Sequence, residues 1–231
     1  MKRIFPYIIV LLLISCGNKN QFEINGSIDN PEFERCNVYL YFDNNSPLPN
    51  DSTVVIDGKF HFSGQIENPS VGIVEVFDQS HKQNYNVFIA LESGNINADL
   101  SRYEVSGTPL NDTLLQWSKR TEFYTGYDKL VSAQNDIQNA ETPEEILALA
   151  THFEDLQAEL FTKIIDGFHQ LYENNTDNAI GYFAVIALCR YGTINADEIE
   201  EAKRVLNPVY ANDSTLNSYL VQYRFKERNQ Q

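Results

Sequence analysis

Cysteine and histidine are the residue types in this chain that could perform redox or metal chemistry. The 231 residues include three cysteines, Cys16, Cys36 and Cys189, and no two of them form a CxxC pair. Cys36 falls in a strand-rich segment and Cys189 in an apolar helical one. A disulfide between them is the alternative, but two buried free thiols are the preferred prediction. The chain therefore contains no redox motif of its own.

The four histidines, His61, His81, His152 and His169, do not have the spacing of a metal site. The segment HFEDL at 152–156 lacks the second histidine that a zinc site on one helix face needs. The loop DNNSPLPND at 43–51 offers oxygen ligands, but without glycine at its sixth position a plain polar loop is preferred over a cation site. Nucleophile-elbow, phosphate-loop and dinucleotide patterns are also absent. We predict no catalytic residue, no metal and no cofactor, and an unrecognised hydrolase is the disfavoured alternative.

Cys16 follows an apolar run that indicates where the protein is located in the cell and not which activity it has. Residues 1–15 carry Lys2 and Arg3 before the apolar core, as a secretory signal peptide does, and this run is too short to span a bilayer. The four residues LISC, 13–16, resemble the bacterial lipobox, which implies cleavage before Cys16 and acylation of that cysteine. The alternative is an ordinary signal peptide with a chance cysteine. Residues 16–21 would form a lipidated tether that holds the protein at a membrane.

The chain is strongly acidic, with 32 acidic and 17 basic side chains and a formal charge of −15. Loss of the signal peptide would remove two further positive charges. Such a chain repels phosphate backbones and anionic lipid headgroups, so nucleic acid is excluded as a partner. A membrane attachment must then depend on acyl chains at Cys16.

Short apolar runs punctuated by turns predict strands from residue 22 to residue 107. The run CNVYLYF, apolar in both phases, predicts a central strand covered on both faces. In STVVIDGKFHFSGQI, Asp57-Gly58 predicts a tight hairpin between two paired strands. Because no helical pattern interrupts the series, we predict an antiparallel β-sandwich at 22–107.

The hydrophobic period changes at GTPLND, and residues 108–231 predict an all-helical domain, so the fold class is α+β. Thr142 and Pro143 predict a helix start, and Ile146, Leu149, Phe153, Leu156 and Leu160 form one apolar stripe that should pack against a neighbour. The segment DNAIGYFAVIALCRYG is apolar nearly all round and predicts the most buried helix. Tyrosines could also form a ligand platform, but core or interface roles are preferred for them; they are Tyr39, Tyr41, Tyr191, Tyr210, Tyr219 and Tyr223.

In order, FEINGSI, VYLYF, DSTVVIDGKFHFSGQIENP, FIALESGNINADL and YEVSGTPLND resemble the family known as domain of unknown function number 4369, found in Bacteroidota-type lipoproteins. The resemblance covers about residues 22–115. In that family the β-domain and a helical segment usually precede a thioredoxin-like domain with a CxxC pair. This sequence stops at Gln231, so the resemblance implies the accessory part without a catalytic part.

Three tripeptides, DST at 51–53, DTL at 112–114 and DST at 213–215, resemble the acceptor pattern for O-glycosylation of exported proteins in the same bacterial group. The resemblance implies Ser52, Thr113 and Ser214 as attachment points. The alternative is that Asp with Ser or Thr begins strands and caps helices there.

These observations lead to two hypotheses about function. The preferred one is a non-catalytic, membrane-anchored envelope lipoprotein that acts as a binding or scaffold module. It would sit in the outer membrane and face the periplasm, because no acidic export tag follows Cys16. The alternative is an accessory module for a thioredoxin-like thiol-disulfide oxidoreductase that acts in trans. A thioredoxin-like protein is therefore one candidate partner.

Overall fold

The computed structural model describes residues 21–42, 47–80 and 82–229. The first part of the described chain forms eight strands, and the second part forms helices, so the fold is mixed α+β. The strands are β1 Gln21–Ser27, β2 Asn37–Tyr41, β3 Asp51–Val54, β4 Lys59–Gln65, β5 Ser70–Phe77, β6 Asn84–Leu91, β7 Gly94–Asp99 and β8 Glu104–Ser106. Among these residues, none of the helices has the length and hydropathy needed to cross a bilayer.

The strands form two sheets of four, in the orders β4-β1-β7-β8 and β3-β2-β5-β6. Five of the six strand pairings in the described chain are antiparallel, as predicted. The prediction is wrong for β1 and β7, which pair in parallel from Phe22 opposite Gly94 to Ser27 opposite Asp99. A parallel pair needs a long crossover connection, and here the chain passes through the other sheet between the two strands.

The turn at Asp57-Gly58 is confirmed, but the strands on either side of it do not pair as one long hairpin. Both turn residues have positive φ, and Ile56 and Lys59 exchange backbone hydrogen bonds across the turn. β3 then belongs to one sheet and β4 to the other. Between β3 and the turn, the fully buried Val55 donates its backbone N–H to Cys36. The burial of Val55 thus directs the chain from one sheet to the other.

One hydrophobic cluster contains side chains from both sheets, including Ile24 and Ile96 of the first and Leu40 and Val74 of the second. The prediction that β2 is covered on both faces is wrong, because Tyr39 and Tyr41 on its outer face are only half-buried. It is β6, at the sheet edge, that is covered on both faces. Helices cover the outer face of β6. The sequence of β2 could not show that these helices pack on β6 and not on β2.

The helices begin directly after the last strand. They are α1 Pro109–Thr121, α2 Thr125–Asn139, α3 Pro143–Glu173, α4 Ala179–Tyr191, α5 Ala196–Val205, α6 Pro208–Ala211 and α7 Ser214–Asn229. The predicted start of α3 is confirmed, since the Thr142 hydroxyl accepts a hydrogen bond from the Glu145 backbone N–H. As predicted, α4 is the most buried helix, with nine buried residues of thirteen.

The helix α3 is buried only in its second half, which includes Leu160 at the end of the predicted stripe. Its buried residues all lie between Leu160 and Leu171, where α3 packs against α1 and α4. From Pro143 to Glu159 its neighbour is α2, and Ile146 remains exposed. We call residues 125–159 the α2–α3 hairpin. The prediction that the stripe packs against a neighbour is confirmed, because α2 lies beside this part of α3 and Leu149, Phe153 and Leu156 are half-buried.

Helices and sheet are joined through the outer face of β6. Phe88 and Ala90 of this strand contribute to the hydrophobic core of the helical part. The fully buried Asn111 side chain accepts a hydrogen bond from the Ala90 N–H at 2.8 Å and donates one to the Ala90 carbonyl at 2.7 Å. The Tyr124 hydroxyl accepts a hydrogen bond from the Phe88 N–H at 2.8 Å. The helical segment therefore supplies the edge strand with the hydrogen bonds that a further strand would provide.

Candidate functional site

The two cysteines in the described chain are buried free thiols, which confirms that prediction. They lie in different hydrophobic clusters, Cys36 between the sheets and Cys189 among the helices. Burial, and secondly the charge of Asp78, raise the pKa of the Cys36 thiol. Burial alone raises the pKa of the Cys189 thiol to about 12. Because the thiolate is the reactive form, neither cysteine is poised for thiol-disulfide exchange.

We expect iodoacetamide at pH 8 to modify Cys36 and Cys189 at least about 100-fold more slowly in the native protein than in denaturing urea, since both access and thiolate fraction are low. Digestion and mass spectrometry would follow the peptides that contain each cysteine. The urea-unfolded chain is the internal control for intrinsic reactivity. Equal labelling rates in both conditions at either cysteine would contradict this expectation and favour a redox role for that residue.

The described histidines do not converge with other ligand residues. No group of three or more His, Cys, Asp or Glu side chains that could hold a metal occurs within residues 21–42, 47–80 and 82–229. His61 shares a hydrogen bond with Asn25 at 3.3 Å on the exposed surface. Cys16, His81 and residues 43–46 of the 43–51 loop lie outside the described residues. Lipidation of Cys16 and the preference for a plain polar loop over a cation site therefore stay predictions.

The three residues with a glycosylation-like pattern lie far apart in the fold. Ser52 is exposed on β3, and Ser214 is exposed at the start of α7. Thr113 is half-buried in α1, where its hydroxyl donates a hydrogen bond to the Pro109 carbonyl. The Asp213 carboxylate accepts a hydrogen bond from the Thr215 N–H, as a helix cap does. The fold thus leaves two of the three hydroxyl side chains on the surface.

Two of the six tyrosines considered as a ligand platform donate hydrogen bonds within the protein. Tyr210 stacks on Tyr182 with a centroid distance of 5.7 Å and donates a hydrogen bond to the Pro69 carbonyl. The Tyr223 hydroxyl donates to the Cys189 carbonyl at 2.8 Å. Tyr191 differs, because it is partly exposed and its ring lies 6.0 Å from that of Phe168.

An aromatic cleft of about 290 Å³ lies between the outer face of β6 and the helices. Four phenylalanine rings from four segments line it together with two aliphatic side chains of α4, Tyr191 and Arg190; the rings are those of Phe88, Phe123, Phe168 and Phe183. The Phe88 and Phe183 rings are 4.8 Å apart at their centroids. A smaller cavity of about 80 Å³ shares Phe88, Phe183 and Arg190 with this cleft. The cleft is therefore apolar apart from its exposed end.

Among the described residues that line the aromatic cleft, Arg190 alone carries a charge. It is exposed, and none of the hydrogen bonds or ion pairs in the described chain uses its guanidinium. The Tyr182 hydroxyl lies close enough for the charge of Arg190 to oppose the rise in its pKa, which burial chiefly causes. That hydroxyl donates a 2.6 Å hydrogen bond to Asp213. The cleft therefore presents a free cation beside an apolar surface.

Sequence reasoning missed this cleft, although its α4 side follows a simple spacing. Phe183, Ile186, Ala187 and Arg190 stand at i, i+3, i+4 and i+7, so they share one helix face. The arginine at the end of this otherwise apolar face is a signal of a binding site. The prediction treated α4 only as a helix buried nearly all round and did not use this signal. The other side of the cleft comes from β6, α3 and the turn after α1, which no local pattern could bring together.

The α2–α3 hairpin is a second feature without an internal role. It carries one lysine, Lys129, against eight exposed carboxylates: Asp128, Asp136, Glu141, Glu144, Glu145, Glu154, Asp155 and Glu159. Large apolar side chains stand among these charges, with Leu147 70% and Tyr127 69% exposed. The hairpin is thus an acidic surface with apolar side chains that no other described element covers.

Glu122 anchors the base of the hairpin. It has left-handed backbone geometry in the turn between α1 and α2, and its carboxylate forms ion pairs with Lys129 of α2 and Lys163 of α3. Hydrogen bonds from these two lysines lower the pKa of Glu122. Because both lysines are held by carboxylates at the base, the outer part of the hairpin has no cation to offset its negative charge.

The β-strand segment has a recognisable family. Residues 22–114 match the family described as Domain of unknown function (DUF4369). The match confirms the resemblance drawn from the sequence motifs, and it spans all but the first residue of the eight strands and the beginning of α1, including Asn111. No curated protein matches the chain.

Proposed function

We propose that this protein is a non-catalytic envelope lipoprotein that acts as a binding or scaffold module, anchored by Cys16 and facing the periplasm from the outer membrane. The observation that carries the proposal is the α2–α3 hairpin, whose apolar and acidic side chains serve neither hydrophobic core. The segment that matches the DUF4369 family forms the body from which the hairpin extends. In this body the two sheets are proposed to face each other as a β-sandwich, because their side chains share one cluster.

The partner that fits the hairpin is a protein with a basic surface and apolar side chains. Net charge across residues 125–159 is −7, which repels a second copy of the same surface and favours a cationic one. The free part of α3 spans 17 residues, or about 25 Å, and two adjacent helices are about 20 Å wide. The area of one face of the hairpin, together with its edges, therefore approaches the roughly 800 Å² that each partner buries in a standard interface.

The buried cysteines weigh against the alternative of a thioredoxin-like partner that acts on this chain. Exchange needs an accessible thiolate, whereas burial raises the pKa of both described thiols. The hairpin also contains no cysteine. A thioredoxin-like protein would fit the proposal only as a basic partner bound through the hairpin, without thiol chemistry.

Site-specific photocrosslinking in the native envelope tests the proposal. A photoreactive residue at position 147 of the hairpin is compared with one at position 221 of α7, because Leu147 and Val221 are equally exposed, at 70% and 69%. Captured proteins are identified by mass spectrometry. We expect a basic protein to be captured from position 147 and not from position 221.

The triple variant Glu144→Gln, Glu154→Gln, Asp155→Asn removes three exposed charges without touching either core. We expect it, and raised salt, to reduce capture from position 147 at least fivefold, since exposed charges are screened by salt. Capture of the same proteins from both positions, or capture that does not respond to charge, would contradict the proposal.

A further inference from the structure

We propose that the aromatic cleft binds a small amphipathic carboxylate, with its apolar part among the phenylalanine rings and its carboxylate on Arg190. This site lies on the opposite part of α3 from the α2–α3 hairpin, and it does not depend on the function proposed for that hairpin. The proposal rests on two observations about the described side chains: they form an apolar cavity, and the guanidinium of Arg190 is unpaired.

The cavity sets the size of the apolar part. An apolar cavity of roughly 150 Å³ accommodates a benzene molecule, so a cleft of about 290 Å³ suits about ten non-hydrogen atoms. Its walls contain Phe88, Phe123, Phe168 and Phe183, which offer ring faces and edges to an acyl chain or an aryl group. Such a site buries the ligand body and leaves one polar group to fix its orientation.

Arg190 determines the charge of the ligand. Guanidinium groups present a planar fork of donors that matches a carboxylate, and an ionised pair is stronger than a neutral one. Asp213, the acid that Tyr182 contacts, already accepts hydrogen bonds from Tyr182 and from the Thr215 N–H, so it is engaged elsewhere. A cationic ligand would be repelled by Arg190, and a neutral one would leave the guanidinium without a partner.

The test uses octanoate as the probe and the fluorescence of Trp117, the only tryptophan of the chain, as the readout. The Trp117 ring lies 4.7 Å from that of Phe168 and 4.9 Å from that of Phe123, two of the lining rings. Titration of the purified full-length protein should give a saturable change. Octanol and octylammonium, with the same chain length but other head groups, should bind at least tenfold more weakly.

Two substitutions separate the head-group contact from the cavity. We expect Arg190→Gln to weaken octanoate binding about tenfold or more, whereas Arg120→Gln, the same charge change at an exposed position of α1, should leave binding unchanged. Ala187→Phe should abolish binding by filling the cleft; circular dichroism would check that it folds. No saturable binding by the native protein, equal binding of octylammonium, or equal loss in both arginine variants would overturn the proposal.

Discussion

Replacing Asn111 with leucine is expected to lower the free energy of unfolding by about 2–4 kcal/mol. The Asn111 amide is the hydrogen-bond partner of both the N–H and the carbonyl of Ala90, and both residues are fully buried. Leucine has the same branched side-chain shape and number of heavy atoms but would leave two backbone groups without partners in an apolar surrounding. Each buried polar group that loses its partner costs about 1–3 kcal/mol.

Urea denaturation followed by circular dichroism measures this effect. Asn135→Leu, an exposed position on α2, is the matched control, and it should change the unfolding free energy by less than about 0.5 kcal/mol. Asn111→Asp is a further informative variant, because it keeps an acceptor for the Ala90 N–H and loses the donor for the carbonyl. If Asn111→Leu were as stable as the native chain, the amide would not be what joins α1 to β6.

Gly167→Ala is expected to destabilise the protein by about 1–3 kcal/mol, although alanine is the better helix former by about 1 kcal/mol. A Cβ at this position of α3 would lie 2.2 Å from Cγ2 of Thr121 and 3.0 Å from Nε1 of Trp117. Thr121 is buried, and its hydroxyl donates to the Trp117 carbonyl, so this methyl group cannot rotate away. α1 and α3 would have to separate.

A double-mutant cycle with Thr121→Ser isolates this contact. Serine keeps the hydroxyl and removes Cγ2, so Gly167→Ala should cost at least about 1 kcal/mol less in the serine background than in the native one. The same urea denaturation serves for all four chains. A stabilising effect of Gly167→Ala in the native background would show that helix propensity and not helix-helix distance governs this position.

Local side-chain chemistry explains which features could be predicted. Thr142 and Pro143 begin α3, because the hydrogen bond of this cap involves residues within one helical turn. The Asp57-Gly58 turn has the same basis, since both residues tolerate positive φ. The family motifs are also a property of the linear sequence, and residues 22–114 match the family.

Pairing between distant segments could not be predicted in this way. The sequence of β3 and β4 is compatible with one hairpin, but burial of Val55 assigns the two strands to different sheets. The α3 pattern likewise shows an apolar stripe without showing how much of it a neighbour covers. Burial of a stripe depends on the number and length of the elements beside it, which local periodicity does not contain.

The sequence by itself determined the order of strands and helices, their caps and turns, the acidic charge and the DUF4369 motifs. Only the tertiary structure decided that β1 and β7 pair in parallel, that the α2–α3 hairpin stays uncovered and that Arg190 lies beside an aromatic cleft. The first set rests on interactions between residues a few positions apart. The second depends on contacts between segments that are distant in sequence, whose free energy is gained only when the whole chain is folded.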